Sequence, residues 1–345
     1  MTYRTRIVSG TLALLLCVAL PATAGADVAE FYKGKTLRFI LGSSPGGGFD
    51  TYARTIARTL TRHIPGEPKI IVQNMPGAGF AIAMNYLYNV ARRDGSVIGA
   101  TNSGLVMKQV LGEKGIRFDN AKFGWLGSAG KATPTCMVMS RTGVTDLKGL
   151  LNAPKAVNFG SAGTLTRDTP LILRDFVGGK INLVRGYNGT AQIRAAVRRK
   201  EVDGYCSSWE SVRIQATELL EGKDGDRLVP FLTSGDKNEP ALRNLPLFAD
   251  HIKNADERAA YEAWLAPYKL FRAYVTPPGI PKDRLEALQT AFKNTLDDPE
   301  FKAASRKIGI EISYLSGAEI QNLVKQVFSI GPGAKARLER LVKGK

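Results

Sequence analysis

Ser44 is the residue whose surroundings first suggest chemistry. The segment Gly42-Ser43-Ser44-Pro45-Gly46 matches the pattern G-x-S-x-G, follows an apolar run and precedes a predicted helix, as a hydrolase nucleophile does. The residue after such a serine donates its N–H to the oxyanion, and Pro45 has none. The candidate bases are the two histidines, His63 and His251, and His63 precedes any plausible acid. The sequence therefore disfavours a secreted serine hydrolase, which stays the alternative function.

The glycines after Ser44 favour anion binding over catalysis. The run is neither a P-loop nor a dinucleotide fingerprint, because no Gly-Lys-Ser/Thr follows and Thr51 stands where a third small residue is needed. Gly46, Gly47 and Gly48 let the backbone approach a ligand, and a helix beginning near Asp50 directs free N–H groups at that space. Segment 160–164 repeats the arrangement. Two facing turns predict a cleft for an anion; the alternatives are ordinary tight turns and, for Asp50, an N-cap.

Strand-like and helix-like segments alternate along the chain, which predicts two α/β units. Residues 37–101 read as βαβαβ, and a second unit starts near 127. Small polar turns follow the strands, and in such sheets these loops gather at one edge, where ligands bind. The later pattern predicts further elements: a helix over 170–177, strands over 202–206, 268–275 and 310–314, a helix over 281–296 and a basic terminal helix.

The first 26 residues have the pattern of a secretory signal peptide. Arg4 and Arg6 precede an uncharged apolar stretch, and Ala24-Gly25-Ala26 offers a small–x–small cleavage site. An uncleaved anchor is the alternative. Cys17 falls in this leader and follows Leu16, where lipidation needs a small residue. Without the leader, 46 basic residues face 31 acidic ones, a net charge of +15. Scattered basic residues and export argue against nucleic acid and fit an anionic ligand.

Two cysteines, Cys136 and Cys206, remain after the leader. An exported protein can join them in a disulfide, but both lie in apolar, strand-like segments, so two buried thiols are equally compatible. Two cysteines and two histidines form no cluster with metal-ligand spacing. The sequence therefore predicts no metal site and leaves the state of the thiols open.

Glycine- and proline-containing loops recur in a fixed order along nearly the whole mature chain. They are 44–50, 72–79, 93–95, 158–163, 187–189, 202–204 and 277–281. In this order they resemble the substrate-binding proteins of tripartite tricarboxylate transporters, the Bug-type family. The resemblance implies an α/β, two-lobed periplasmic-binding-protein (Venus flytrap) fold, each lobe a mixed sheet flanked by helices. Residues 27–130 and about 236–280 would form the first lobe and 131–235 the second, with the helices of 281–345 packing across both.

The resemblance also implies a function. A monomeric, periplasmic, non-catalytic protein without cofactor would capture a small organic anion, a di- or tricarboxylate or an aromatic carboxylate, and deliver it to a membrane permease. A sensory binding protein that serves a receptor is the alternative. The expected cleft residues are Ser44, Pro45, Gly46, Gly47, Gly48, Phe49, Asp50, Pro76, Gly77, Ala78, Gly79, Ser103, Gly160, Ser161, Ala162, Gly163, Thr164, Tyr187, Asn188, Gly189 and Ser208.

Two residues depart from the family pattern and add to this set. Arg167 stands in a segment more charged than usual, and it could pair with a ligand carboxylate, with Asp168 or with solvent. Trp209 follows the late strand and could stack on a ligand or belong to the core. Both departures bear on the identity of the ligand.

Overall fold

The computed structural model describes Met1 and residues 24–343 except 224, 236, 237 and 310. The predicted leader, with Cys17, lies outside the described residues over positions 2–23. Among the helices that the structure does describe, none is long and apolar enough to cross a membrane.

Eleven strands lie within the described residues. They are β1 (Thr36–Leu41), β2 (Lys69–Asn74), β3 (Val97–Thr101), β4 (Gly124–Ser128), β5 (Pro134–Met139), β6 (Val157–Gly160), β7 (Ile181–Val184), β8 (Gly204–Ser208), β9 (Leu228–Thr233), β10 (Ala273–Thr276) and β11 (Leu315–Ser316).

The same part of the chain forms fifteen α-helices. They are α1 (Ala24–Tyr32), α2 (Gly48–Leu60), α3 (Ala81–Asn89), α4 (Gly104–Val110), α5 (Leu147–Leu151), α6 (Thr164–Asp175), α7 (Thr190–Arg198), α8 (Trp209–Gln215), α9 (Thr217–Leu220), α10 (Phe248–His251), α11 (Ala255–Leu265), α12 (Lys282–Asp297), α13 (Pro299–Lys307), α14 (Gly317–Phe328) and α15 (Pro332–Lys343).

The first lobe is built on a mixed sheet of order β11-β4-β10-β3-β1-β2. Strand β1 pairs in parallel with β2 and β3, whereas β10 runs antiparallel between β3 and β4. The carboxyl ends of β1, β2 and β3 therefore share one edge, and the start of β10 reaches the same edge. The chain segments after these strands meet there, which is where α/β sheets bind ligands.

The second lobe is built on a mixed sheet of order β7-β6-β8-β5-β9. Strand β6 pairs in parallel with β7 and β8, and β5 runs antiparallel between β8 and β9. Cys136 on β5 stands directly opposite Cys206 on β8, and the two form a disulfide. Both residues are fully buried, so the bond joins the two central antiparallel strands inside the core.

The chain crosses between the lobes at residues 129–133 and again between β9 and β10. Hydrogen bonds tie the crossing segments together: Ala129 N donates to Arg272 O and Ala132 N to Tyr268 O, each at 2.9 Å. Helices α12 and α14 contact β4 of the first sheet, whereas α15 contacts α6 of the second lobe. The crossing segments therefore lie beside the edge where the loops of the two lobes face each other.

Several predicted element bounds are wrong. The helix expected to start at Pro170 starts at Thr164, and Pro170 lies inside it. The Thr166 hydroxyl accepts the N–H groups of Ala162 and Gly163 at 2.8 and 2.9 Å, which begins the helix two turns earlier than a first-turn proline would indicate. The predicted strand over 202–206 lies at β8, two residues later.

Differences also occur near the C-terminus. The first three residues of the predicted strand over 268–275 lie in a 3-10 helix that spans Ala266–Leu270, and only β10 is a strand. Residues 311–314 are not in a strand, and the short β11 follows them. The single basic terminal helix is two helices, α14 and α15. Strand β4 and helices α4 and α8 were not predicted, because their short sequences lack a clear period.

Candidate ligand-binding cleft

The loop after β1 carries the predicted residues Ser44 to Asp50 to the edge of the first sheet. Ser44, Pro45 and Gly46 are exposed, while Gly47, Gly48 and Phe49 are half-buried. Gly46 has φ +77°, a backbone conformation that glycine adopts without strain. Its N–H donates to Asp50 Oδ2 at 3.0 Å. The loop is thus held in place by the first turn of the helix that follows it.

Asp50 is buried and fully engaged in this loop. Its carboxylate also accepts Arg54 Nε and Asn74 Nδ2, both at 2.9 Å. Burial raises the pKa of Asp50, but the hydrogen bonds from Arg54, Asn74 and Gly46 outweigh it and hold the pKa below its usual value. Asp50 is therefore ionised and positions the loop with its own oxygens.

The loop after β2 packs against the loop after β1. It contains the predicted segment Pro76 to Gly79, in which Ala78 has φ +46°, and Phe80 follows with φ +78°. A β-carbon at Gly42 would lie 2.5 Å from the Phe80 ring, so this contact requires glycine. Residues with side chains in the left-handed region store backbone strain, and here the strain lies at the edge of the first sheet.

The loop after β3 places Ser103 and the start of α4 at the same edge. Ser103 is fully buried, and its hydroxyl finds no partner among the described residues. The Gly104 N–H donates to Asn102 Oδ1 at 2.9 Å. The predicted residues of the first lobe are thus brought together along one edge.

In the second lobe, the predicted segment Gly160 to Thr164 follows β6. Ser161 N donates to Val184 O at 2.9 Å, and the next two N–H groups donate to Thr166. These three backbone donors are satisfied inside the lobe. The segment from Tyr187 to Gly189 follows β7, and Asn188 N donates to Gln192 Oε1 at 2.8 Å.

Ser208 and Trp209 follow β8 at the start of α8. The Ser208 hydroxyl donates to Ser211 Oγ at 2.8 Å. Trp209 is 5% exposed and belongs to a hydrophobic core cluster of the second lobe, against which Tyr187 also packs. Its indole N–H has no partner in the part of the chain described. Trp209 is therefore a core residue with one unsatisfied polar atom.

The two lobes touch directly across the cleft. A β-carbon at Gly104 would lie 2.7 Å from Thr164 Oγ1, and one at Gly48 would lie 3.0 Å from Ser211 Oγ. Both glycines belong to the first lobe, and Thr164 and Ser211 belong to the second. Glycine at these two positions permits the close approach that a side chain would prevent.

Arg167 joins the lobes through an ion-pair cluster. Its Nε lies 2.6 Å from Asp168 Oδ1 on the same helix, and its Nη2 lies 3.1 Å from Glu113 Oε1 of the first lobe. Lys108 lies 3.7 Å from the other Glu113 oxygen. Burial lowers the pKa of Arg167, but Asp168 and Glu113 outweigh it and raise that pKa. In this structure the guanidinium is thus engaged by protein carboxylates.

Arg272 lies in the cleft and was not in the predicted set. It precedes β10, is 2% exposed, and its Nη2 donates to Ser211 Oγ at 2.7 Å. The signal in the sequence is a single arginine inside the apolar run from Leu270 to Val275. Arg272 was overlooked because the sequence predicts a strand over this run. In a strand, the residue would be interpreted as part of the buried sheet and not as a ligand-binding residue.

Ser44 has no histidine of the described chain as a hydrogen-bonding partner. His63 follows the far end of α2, and its Nε2 lies 2.9 Å from Asp298 Oδ2. The thirteen residues of α2 separate Ser44 from His63 by about 20 Å at 1.5 Å per residue. This arrangement does not form a nucleophile–base pair with His63.

Replacing Gly104 by alanine is expected to push the lobes apart. The three atoms nearest to the added β-carbon all belong to Thr164, so the clash falls on the interlobe contact and costs about 1–3 kcal/mol in the closed form. Small-angle scattering should show a larger radius of gyration, and adding Thr164→Gly should reverse it. Gly47→Ala is the control, because its nearest atom would be 3.7 Å away. Unchanged scattering for Gly104→Ala would contradict this role.

Comparison with known proteins identifies the architecture. No protein-family model and no curated protein sequence matches the chain, but solved structures do. The periplasmic binding protein BugD has a TM-score of 0.68 at 19% identity, covering 91% of this chain and 98% of its own. MatC from Rhodopseudomonas palustris with bound malate has a TM-score of 0.66 at 18% identity, covering 89% and 99%.

An R. palustris protein with adipate has a TM-score of 0.67 at 19% identity, covering 90% of this chain and 96% of its own. At these identities the likeness establishes the fold. The chain has the two-lobed α/β fold of periplasmic binding proteins, and the fold predicted from the sequence is confirmed.

Proposed function

We propose that this protein is a periplasmic solute-binding protein of the Bug type that captures a small organic anion between its two lobes. The ligand is a di- or tricarboxylate or an aromatic carboxylate, and a tripartite tricarboxylate-type permease receives it. The observation that carries the proposal is the fold, which matches binding proteins over about 90% of the chain, including one solved with malate and one with adipate.

The geometry of the cleft supports the same reading. Loops at the carboxyl ends of β1, β2 and β3 face loops of the second lobe, and the lobes touch at Gly104 and Gly48. The N-cap of α2, Gly47, has no side chain to accept the first N–H groups of the helix, and a helix N-terminus favours an anion. Binding would shift the equilibrium between open and closed lobes by making contacts to both.

The charge of the protein fits an anionic solute. The full chain carries a net charge of +17, and a positive field raises the rate at which anions reach a cleft. Delivery to a permease and export to the periplasm are parts of the proposal that rest on the family resemblance. A deletion of the permease genes that abolishes uptake of the bound acid would test the first of these.

A thermal-shift screen of the purified protein tests the function. The panel contains malate, adipate, citrate, benzoate and amino acids, each with its neutral amide where one exists. A ligand at a hundred times its dissociation constant should raise the free energy of unfolding by about 2.7 kcal/mol. Binding without any product supports a solute-binding protein. No response to any acid, together with ester hydrolysis that Ser44→Ala abolishes, would establish the hydrolase instead.

A further inference from the structure

Arg272 is a buried cation with an unused donor at the interface between the lobes. It is 2% exposed, and its Nη2 donates to Ser211 Oγ at 2.7 Å. Its Nη1 is buried and has no hydrogen-bond partner among the described residues. A buried donor left without an acceptor is costly, and a buried cation is rarer still. Nη1 is therefore the one nitrogen of the Arg272 guanidinium shown to be buried without an acceptor of hydrogen-bond geometry among the described residues.

Three aromatic rings surround the guanidinium. Its Cζ lies 4.0 Å from the centre of Phe49, 4.5 Å from Tyr52 and 4.3 Å from Phe271. These cation–π contacts stabilise the charge and fix the plane of the group. Phe49 is only half-buried and also packs on Phe80, with ring centres 4.6 Å apart. An apolar surface thus lies beside the unsatisfied donor.

The nearby Glu210 carboxylate does not satisfy this donor. Its two oxygens accept the backbone N–H and the hydroxyl of Thr133 at 3.0 and 2.7 Å. Glu210 is thereby tied to the crossing segment between the lobes. Burial is the main influence on both groups, raising the pKa of Glu210 and lowering that of Arg272. Burial thus disfavours the charged form of both side chains.

Further donors converge on the same point. A β-carbon at Gly48 would lie 3.1 Å from Arg272 Nη2 and 2.8 Å from Gln215 Nε2. The Gln215 Nε2 atom is also buried without a partner in the described structure. Gly48 opens the thirteen-residue α2, whose N-cap Gly47 has no side chain to satisfy the first N–H groups. A guanidinium, an amide and a helix N-terminus thus meet at one place.

We propose that Arg272 is the charged anchor of the cleft and binds a carboxylate that is attached to an apolar body. This inference rests on the proposed function and names the group that recognises the ligand. When the lobes open, Ser211 of the second lobe separates from Arg272 and Gly48 of the first, and the carboxylate replaces the Ser211 hydroxyl on the guanidinium. The carboxylate then lies at the start of α2 within reach of Gln215, and the apolar body packs on Phe49.

The proposal predicts a preference for an acid over its neutral amide. Charge-assisted, bidentate contacts to arginine are the strongest hydrogen bonds that a carboxylate makes. By isothermal titration, the purified protein should bind benzoate at least about tenfold more tightly than benzamide, and adipate more tightly than adipamide. In Arg272→Met the acids should lose this advantage, while the weak affinity for the amides stays the same. In Arg272→Lys the advantage should fall only in part, because lysine keeps the charge without the planar fork.

Two further variants make the experiment decisive. Arg213→Met is the matched control, since Arg213 lies on α8 beside Ser211 but pairs with Glu239 at 3.1 Å; its acid-to-amide ratio should equal that of the wild type. Ser211→Ala removes the internal acceptor that competes with the ligand, so its affinity for acids should be retained or increased. If Arg272→Met does not fold, Arg272→Lys and Ser211→Ala decide, and weaker acid binding in Ser211→Ala overturns the proposal.

The failure of this inference differs from the failure of the proposed function. An unchanged acid-to-amide ratio in a folded Arg272→Met variant would overturn the role of Arg272 and leave the binding protein intact. If the wild type binds none of the acids, the proposed function itself is wrong.

Discussion

Replacing Arg167 by methionine is expected to lower the free energy of unfolding by about 3–5 kcal/mol, because it removes one partner of a buried ion pair. Asp168 is 5% exposed and lies 2.6 Å from the guanidinium. Methionine fills the volume but leaves this carboxylate uncompensated. Glu113 also loses a partner, although Lys108 remains 3.7 Å away. The loss of stability therefore comes mainly from the uncompensated Asp168 carboxylate and from the lost contact between the lobes.

The loss should depend on pH in a defined direction. Burial already raises the pKa of Asp168, and Arg167 opposes this rise. Without the arginine, the carboxyl group takes up a proton more readily in the folded state than in the unfolded chain. Stability then falls as pH rises from about 4. The difference between variant and wild type should thus be larger at pH 8 than at pH 5.

Urea unfolding at both pH values measures this effect. Arg174→Met is the matched control, because Arg174 lies on the same helix and pairs with Asp175 at an exposed position. An exposed pair contributes about 0–1 kcal/mol, so this control should stay close to the wild type. Equal losses in the two variants would mean that the Arg167 cluster contributes no more than a surface pair.

Removing the disulfide is expected to cost about 4 kcal/mol. Cys136 and Cys206 are 70 residues apart in the sequence, and a crosslink that closes a loop of this length restricts the unfolded chain by about that amount. The double variant with alanine at both positions should unfold at a lower guanidinium chloride concentration. Its folded sheet should persist, because β5 and β8 stay paired by backbone hydrogen bonds.

A thiol reductant supplies the control for this prediction. Both cysteines are fully buried, so the reductant acts on the wild type once the chain unfolds. Wild-type protein unfolded and refolded in reductant should match the double variant, and the double variant should not respond to reductant. A double variant as stable as the oxidised wild type would show that the crosslink contributes little.

The sequence predicts the positions of the loops after β1, β2 and β6 well and the bounds of the neighbouring elements less well. Glycine, in two of the three loops together with proline, follows β1, β2 and β6. Because the backbone preferences of these residues are local, the sequence alone predicts where these loops lie. The start of α6 is different. The Thr166 hydroxyl caps the first turn, so that the helix begins at Thr164. In the sequence alone, Pro170 instead indicates a helix that begins six residues later.

The residues of the candidate site likewise divide into those that the sequence predicts and those that it does not. Loop residues such as Gly48 and Ser103 are predicted because the loops after parallel strands converge at one edge. Arg272 is missed because its place depends on β10, which pairs with β3 and β4 from far along the chain. A single arginine in an apolar run is a usable signal, but only the sheet order reveals that it faces the second lobe.

The insertion of β10 between β3 and β4 has a consequence for how the polypeptide is assembled. Every strand of the second sheet comes from one continuous stretch, residues 134–233, whereas the first sheet needs β10, which starts at residue 273, between its central strands. During synthesis from the N-terminus, the second sheet and its crosslink have all their parts before the first sheet does. Until β10 is made, the first sheet is incomplete: β3 pairs only with β1, and β4 has no neighbouring strand. Such open strand edges are vulnerable to proteases and to edge-to-edge association.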